Sequence, residues 1–219
     1  MIRSEQSPSE DGQGSSRDDI AAAALDLMLE GGLPAADIDA ITRRAGISRR
    51  TFSRHFPSRE AAILDGTRAD FEGINAQLRA RPADEAPTTA YRNAVRDWLA
   101  AEFGGLRRSK LEPYHSLYRQ IVSEPALFGA FATVRMNGER QCTRIMAERL
   151  GVQSRQDPTP SVASTACSGV LAAALRAWAR GTDPYAIHNL VEQYFNTLPV
   201  LLSPTSASSS QPARRRTAR

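Results

Sequence analysis

Residues 37–60 read DIDAITRRAGISRRTFSRHFPSRE, and the order of polar, apolar and glycine positions in this stretch decides the fold. Ile38, Ile41 and Ala45 recur at helical spacing behind Asp37, an N-cap residue, with Asp39 in the first turn where its charge suits the helix dipole. Gly46 supplies the positive φ that a sharp turn between helices demands. Ser48 caps a second, shorter segment, RRTFSRHF, whose Phe52 and Phe56 lie four apart on one face. Pro57 breaks that segment and Ser58 caps the next. Two helices joined across a glycine turn, the second short and basic, have the form of a helix-turn-helix DNA reader. Between positions 43 and 60, Arg43, Arg44, Arg49, Arg50, Arg54 and Arg59 stand against Glu60 alone, a density suited to phosphate neutralisation. The bland alternative is a solvated arginine face in an ordinary helical protein.

Outward from this stretch the chain continues as helices. A first helix over about 17 to 31 turns Ile20, Ala24, Leu27 and Met28 inward and stops at Gly31-Gly32. A long fourth helix starts at Ser58, carries Leu64, Phe71, Ile74 and Leu78 on one stripe, and ends at Arg81-Pro82. Residues 82 to 87 form a short linker. Further helices are expected at about 88–103, 111–123, 125–150, 161–180 and 184–202, with a polar loop at 152–160. No alternation of strand type and no internal repeat is present, so the fold class is all-α, with about nine helices. Residues 1–16 and 203–219 are polar and low in apolar content, the second ending in Arg214-Arg215-Arg216, and both are expected to be disordered.

Composition narrows the function. The chain has 219 residues, 41% hydrophobic and 24% charged, as in an ordinary globular protein with a real core. Its formal net charge of +4 is mild, so the basic cluster is local. Lys110 is the only lysine, and arginine suits base and phosphate contacts. No stretch combines apolar character with the ~20 residues of a bilayer span, and the N-terminus has no secretory core, which points to the cytoplasm. Cys142 and Cys167 are too few and too far apart for a disulfide framework or metal cluster and read as small buried hydrophobes. His115 and His188 have no ligand-type spacing around them. No nucleophile–base pair, carboxylate array or phosphate loop is present, so neither enzyme activity nor a metal or other cofactor is expected.

The segment from about Ile20 to Leu64 resembles the DNA-binding domain of the tetracycline-repressor (TetR) family. The resemblance rests on Ile20, Ala24 and Leu27, then Gly31-Gly32, Ile38 and Ile41, the run Ala45-Gly46-Ile47-Ser48, Thr51-Phe52, and His55-Phe56-Pro57-Ser58-Arg59-Glu60. Two positions depart from the family pattern. Ser53 stands where an aromatic phosphate contact is usual, and Asp37 replaces the usual threonine cap, which also reaches phosphate. The resemblance implies a DNA-binding domain over 17–64 and a helical effector-binding and dimerisation domain over 65–202. Its reading helix places Arg49, Arg50 and Thr51 in the major groove of double-stranded DNA, with Ser48, Ser53, Arg54, His55 and Arg59 at or beside phosphates.

Beyond residue 80 the resemblance is architectural. It implies a homodimer through the helices near 161–180 and 184–202, and hence a palindromic operator. Ala166, Gly169, Ala173 and Ala177 offer a small-residue seam on the first of these helices, and Ile187, Leu190, Val191, Tyr194, Phe195 and Leu198 an apolar stripe on the second. It also implies an effector cavity, for which Trp98, Tyr114, His115, Tyr118, Phe128, Phe131 and Arg135 are the candidate lining, suited to an apolar or amphipathic compound. The expected function is a ligand-responsive regulator, a repressor released from DNA by its effector. A non-specific helical nucleic-acid binder is the alternative.

Overall fold

A computed structural model describes residues 13–202, which form ten α-helices and three short 3-10 turns; no strand occurs among them. The expected tails at 1–16 and from 203 onward lie outside the described residues, except that 13–16 already belong to the first helix.

The N-terminal head comprises α1 (Gln13–Gly31), α2 (Ile38–Ala45), α3 (Arg49–His55) and α4 (Arg59–Ile63). Local chemistry sets each boundary. Asp37 accepts the Ala40 N–H at 2.7 Å to open α2, Ser48 accepts that of Thr51 at 3.1 Å to open α3, and Ser58 accepts that of Ala61 at 3.2 Å to open α4. Gly46 closes α2 at φ 66, ψ 30, with the Ile47 N–H donating back to the Thr42 carbonyl at 3.0 Å. A Cβ there would meet no atom within 4 Å, so Gly46→Ala incurs only the left-handed backbone cost. That substitution is expected to lower the stability of the head by ~1–2 kcal/mol in urea titration. Ile20, Ala24, Met28, Ile41, Phe52 and Phe56 close the core of the head at 2% exposure or less.

The rest is a helical domain of α5 (Asp65–Ala80), α6 (Pro87–Phe103), α7 (Leu111–Ser123), α8 (Pro125–Leu150), α9 (Thr159–Arg180) and α10 (Ile187–Leu202). The single long helix expected from Ser58 is in fact two, and the helix count is ten rather than about nine. The break falls at Leu64, φ −94, ψ 8, where the Thr67 hydroxyl donates to the Leu64 carbonyl at 2.7 Å. Gly66 in the next turn weakens any continuous helix there. Two 3-10 turns, Gly105–Lys110 and Pro184–Ala186, occupy positions expected to be loop and helix start.

Helix α8 packs against α5, α7 and α9, and α9 packs also on α7 and α10. Gly138 permits the α5–α8 crossing, because a Cβ there would sit 2.8 Å from Phe71 Cβ. Arg149 fastens the end of α8 to the end of α5 through the Arg81 carbonyl at 2.8 Å and the Pro82 carbonyl at 2.6 Å. Helix α9 is, against the expectation from sequence, long and apolar enough to cross a membrane by length and composition, but half of its apolar stretch is buried within the protein. Its alanines and Trp178 make it a core helix.

Candidate nucleic-acid interface and effector pocket

Helix α3 presents two opposite faces. Phe52 and Phe56, with ring centroids 6.0 Å apart, seal one face into the head. Arg50 and Arg54, four residues apart, stand exposed on the other. Arg49 is also exposed, but its guanidinium grips both oxygens of Asp39 on α2. That bonding holds the Asp39 carboxyl below the usual carboxylate range. Ser48 and Thr51 satisfy one another at the start of the helix, with hydroxyl oxygens 3.0 Å apart. The Ser53 hydroxyl donates to the Arg49 carbonyl at 3.1 Å.

Arg59 sits differently from the phosphate-facing position expected of it. Its guanidinium donates to the Leu33 carbonyl at 3.1 Å and pairs with Glu60 at 3.0 Å, so the side chain ties α4 to the turn after α1. Arg44 is likewise bound to Glu30, through two bonds of 2.8 Å. Of the six arginines between 43 and 60, Arg44, Arg49 and Arg59 are thus bound within the head while Arg43, Arg50 and Arg54 stand exposed, and a count of charges could not have sorted them. The residue that sequence reasoning missed is Arg17. It stacks over the Phe56 ring at 4.3 Å, donates to the His55 carbonyl at 2.8 Å and pairs with Asp65 at 2.7 Å. One side chain therefore joins α1, the end of α3 and the first residue of α5. An arginine near a helix start carries no sequence signal for such a contact.

The second site lies between α7, α8 and α9. A pocket of about 160 Å³ is bordered by Tyr118, Ile121, Phe128, Phe131, Arg135 and Leu175, among others. Four of the seven expected lining residues meet there: Tyr118, Phe128, Phe131 and Arg135. Phe128 stands at the mouth, 47% exposed, rather than in the core. Arg135 is partnered by Glu139 and by the Ser168 hydroxyl, each at 3.1 Å. The other three do not line this pocket. His115 is buried and donates from Nε2 to the Trp178 carbonyl at 3.0 Å, a structural role. Tyr114 is held in a file of aromatic rings, and Trp98 borders a smaller void of about 10 Å³ together with Asp70, Phe71, Leu99, Tyr118 and Leu175.

Both cysteines are buried, and burial pushes each thiol up to about 12. Such thiols stay protonated and unreactive at neutral pH. Among the described residues no group of His, Cys, Asp or Glu has the makings of a metal site.

A third feature is an open groove of about 570 Å³ between α9 and α10, lined by Ala166, Gly169, Ala173, Tyr194, Leu198 and Leu201, among others. The apolar stripe of α10 divides here. Ile187, Val191 and Phe195 are buried in their own domain, whereas Leu190, Tyr194 and Leu198 remain half-buried.

A capped helix-turn-helix head on a helical domain with an aromatic pocket defines a one-component regulator class, and the comparisons agree. Residues 20–64 match the model of the bacterial regulatory proteins of the TetR family, and residues 86–201 match that of the MftR C-terminal domain. The chain belongs to the TetR family. The HTH-type transcriptional regulator TcmR of Streptomyces glaucescens is 31% identical over 149 residues, which cover 66% of this chain and 64% of that relative's length. The matched part thus spans just under two thirds of the relative. Two solved structures share the fold. FadR of Thermus thermophilus, a TetR-family repressor in complex with lauroyl-CoA, is 20% identical with a TM-score of 0.56, covering 89% of this chain and 99% of that one. The multidrug binding protein EbrR, complexed with malachite green, is 19% identical with a TM-score of 0.51, covering 82% and 96%.

Proposed function

We propose that this chain is a dimeric, non-enzymatic transcriptional repressor of the cytoplasm that leaves a palindromic operator when a small apolar or amphipathic effector binds. The observation that carries the reading is the division of labour on α3: Phe52 and Phe56 fix the helix to the head, and Arg50 and Arg54 face outward. The division into a head at 17–64 and an effector and dimer domain at 65–202 belongs to the same proposal.

Arg50 is the base reader in this scheme, gripping guanine O6 and N7, a contact that contributes ~1–3 kcal/mol of discrimination. Arg54 and the backbone at the start of α3 hold phosphates. Arg49 reaches DNA only by leaving Asp39, or else keeps Asp39 neutralised so that α2 does not repel phosphate; the second role suits the double hydrogen bond. Arg59 belongs to the fold.

Effector coupling runs through α5. Its first residue, Asp65, holds Arg17 and through it the end of the reading helix. Asp70 and Phe71, about one and a half turns along, border the small void that shares Tyr118 and Leu175 with the effector pocket. A ligand that shifts α5 therefore moves the anchor of the head, and DNA and ligand affinities oppose each other by ~1–3 kcal/mol.

Selection of genomic fragments by the full-length protein at physiological salt tests the reading. Enrichment of one palindrome is expected. Diffuse recovery that collapses with added salt would instead identify a charge-driven binder. With that palindrome in hand, Arg50→Ala is expected to weaken binding about 10- to 100-fold per half-site and to relax preference at one base position. Unchanged base preference would remove Arg50 from the reading role.

A further inference from the structure

The effector domain contains a carboxylate that the fold leaves without a partner. Asp70 Oδ2, on α5, is sealed from solvent and accepts no hydrogen bond, while the residue as a whole is half-buried. Burial drives its carboxyl well above the usual range, and the neighbouring Glu102 adds to that. Lys110, the cation whose charge favours the ionised form, is committed to Glu102 at 2.6 Å. Buried carboxylates are ordinarily paired or hydrogen-bonded, because an isolated one is costly. A group kept in this state at the edge of a cavity is a mark of function rather than of folding.

The surroundings say what it would bind. A file of rings, Trp98, Phe103, Tyr114, Tyr118, Phe131 and Phe71, runs past it with successive centroid separations of 5.7, 5.0, 5.4, 5.5 and 6.0 Å. Aromatic faces attract cations and repel anions. The Tyr114 hydroxyl, in the same file, is a second buried polar group with no partner. The void at Asp70 is about 10 Å³, room for a single water, and Tyr118 and Leu175 border both it and the 160 Å³ pocket.

We propose that Asp70 anchors the ammonium head of an amphipathic amine, whose apolar tail lies in the pocket beside Tyr118 and Phe131. This inference rests on the effector-pocket reading and specifies its ligand class. The rim arginines do not oppose it: Arg135 is neutralised by Glu139, and Arg176 is solvent-exposed. Because the void at Asp70 holds no more than a water, an ammonium group enters only by displacing α5, with Asp70 and Phe71, from the rings of α6, α7 and α8. Recognition and displacement of the head are then one event.

Decylamine, decanol and decanoate, each below its micelle concentration or solubility limit, share a tail and differ in head charge. Both tryptophans of the chain, Trp98 and Trp178, lie beside the ring file, so intrinsic fluorescence of the intact protein reports binding. Decylamine is expected to bind about tenfold or more tighter than decanol, with decanoate weakest. Asp70→Asn preserves size and removes an ionisable group whose charged form burial disfavours, so it should fold at least as stably as the parent. It is expected to cut decylamine affinity about tenfold while leaving decanol unchanged. Equal or stronger binding of decanol or decanoate to the parent protein would overturn the role of Asp70 and leave an effector pocket standing. A preference for the amine that survives Asp70→Asn would overturn it as well. If none of the three quenches fluorescence, the effector reading itself fails and this proposal with it. The ranking on the unmodified protein needs no variant, so it stands as a test whatever the substitution does to folding.

Discussion

Ala173→Glu is expected to give a folded monomer that binds effector normally and loses operator affinity by about two to four orders of magnitude. Ala173 is half-buried on α9, where it borders the open groove of about 570 Å³ between α9 and α10. Within one chain a glutamate there has room to extend into the groove and keep its charge in water. In the proposed dimer the same patch meets itself across the two-fold axis, so two like charges would be buried against each other and against the apolar Leu198 and Leu201. The dimer is therefore destabilised twice over while the monomer is spared. A monomer holds one reading helix, and the second half-site no longer benefits from the high effective concentration that a linked head supplies. Sedimentation equilibrium and operator titration on the same preparation check both halves. A variant that remains dimeric would move the seam away from this groove. A monomer with undiminished operator affinity would remove the need for a dimer.

What the sequence disclosed and what it hid follow a physical rule. Asp37, Ser48 and Ser58 cap helices through bonds spanning three residues, so their roles were readable from order alone. The limits of α7 and α8 were equally plain, because Pro125 opens one helix and Gly151, at φ 65, closes it. Contacts between distant residues had no such signature. Arg17 reaches 38 positions to the His55 carbonyl, and Arg59 reaches 26 back to the Leu33 carbonyl. Neither differs, as a letter, from the outward-facing Arg54. The same limit explains the pocket. Aromatic content pointed to Tyr118 and Phe131, which border a cavity, but which rings border it and which merely stack, as Tyr114 does, depends on helix rotation. The break at Leu64 was hidden because Leu64 continues the apolar stripe; only the Thr67 hydroxyl and Gly66 hint that the backbone turns there.

Phe52→Ala is expected to abolish DNA binding altogether while the effector domain stays folded. Phe52 is 1% exposed and packs with Phe56 in the buried core that also holds Ile20, Ala24, Met28 and Ile41. Removing a buried phenyl ring costs ~3–5 kcal/mol, combining lost transfer energy with the cavity left behind. A head the size of the matched segment 20–64 holds only ~2–7 kcal/mol of folding free energy at typical values per residue. The loss is thus comparable to the total, whereas the same loss in the larger core of α5–α10 would be survivable. Contacts of α1 with α7, and of α4 with α8, lend the head some support from that core, so partial order around α1 is the expected residue of structure. Two measurements separate this from global unfolding. Amide exchange should become fast across α2 and α3 and stay slow across α8 and α9, and effector-induced tryptophan quenching should persist. Phe52→Leu, which leaves most of the apolar volume in place, should retain DNA binding with a milder loss. If Phe52→Ala instead bound the operator nearly as well as the parent, the outward-facing arginines would not depend on the packing assigned here to α3. If both domains lost protection together, the head and the effector domain would fold as one cooperative unit, and the Arg17–Asp65 bond would be part of a common core rather than a link between two bodies.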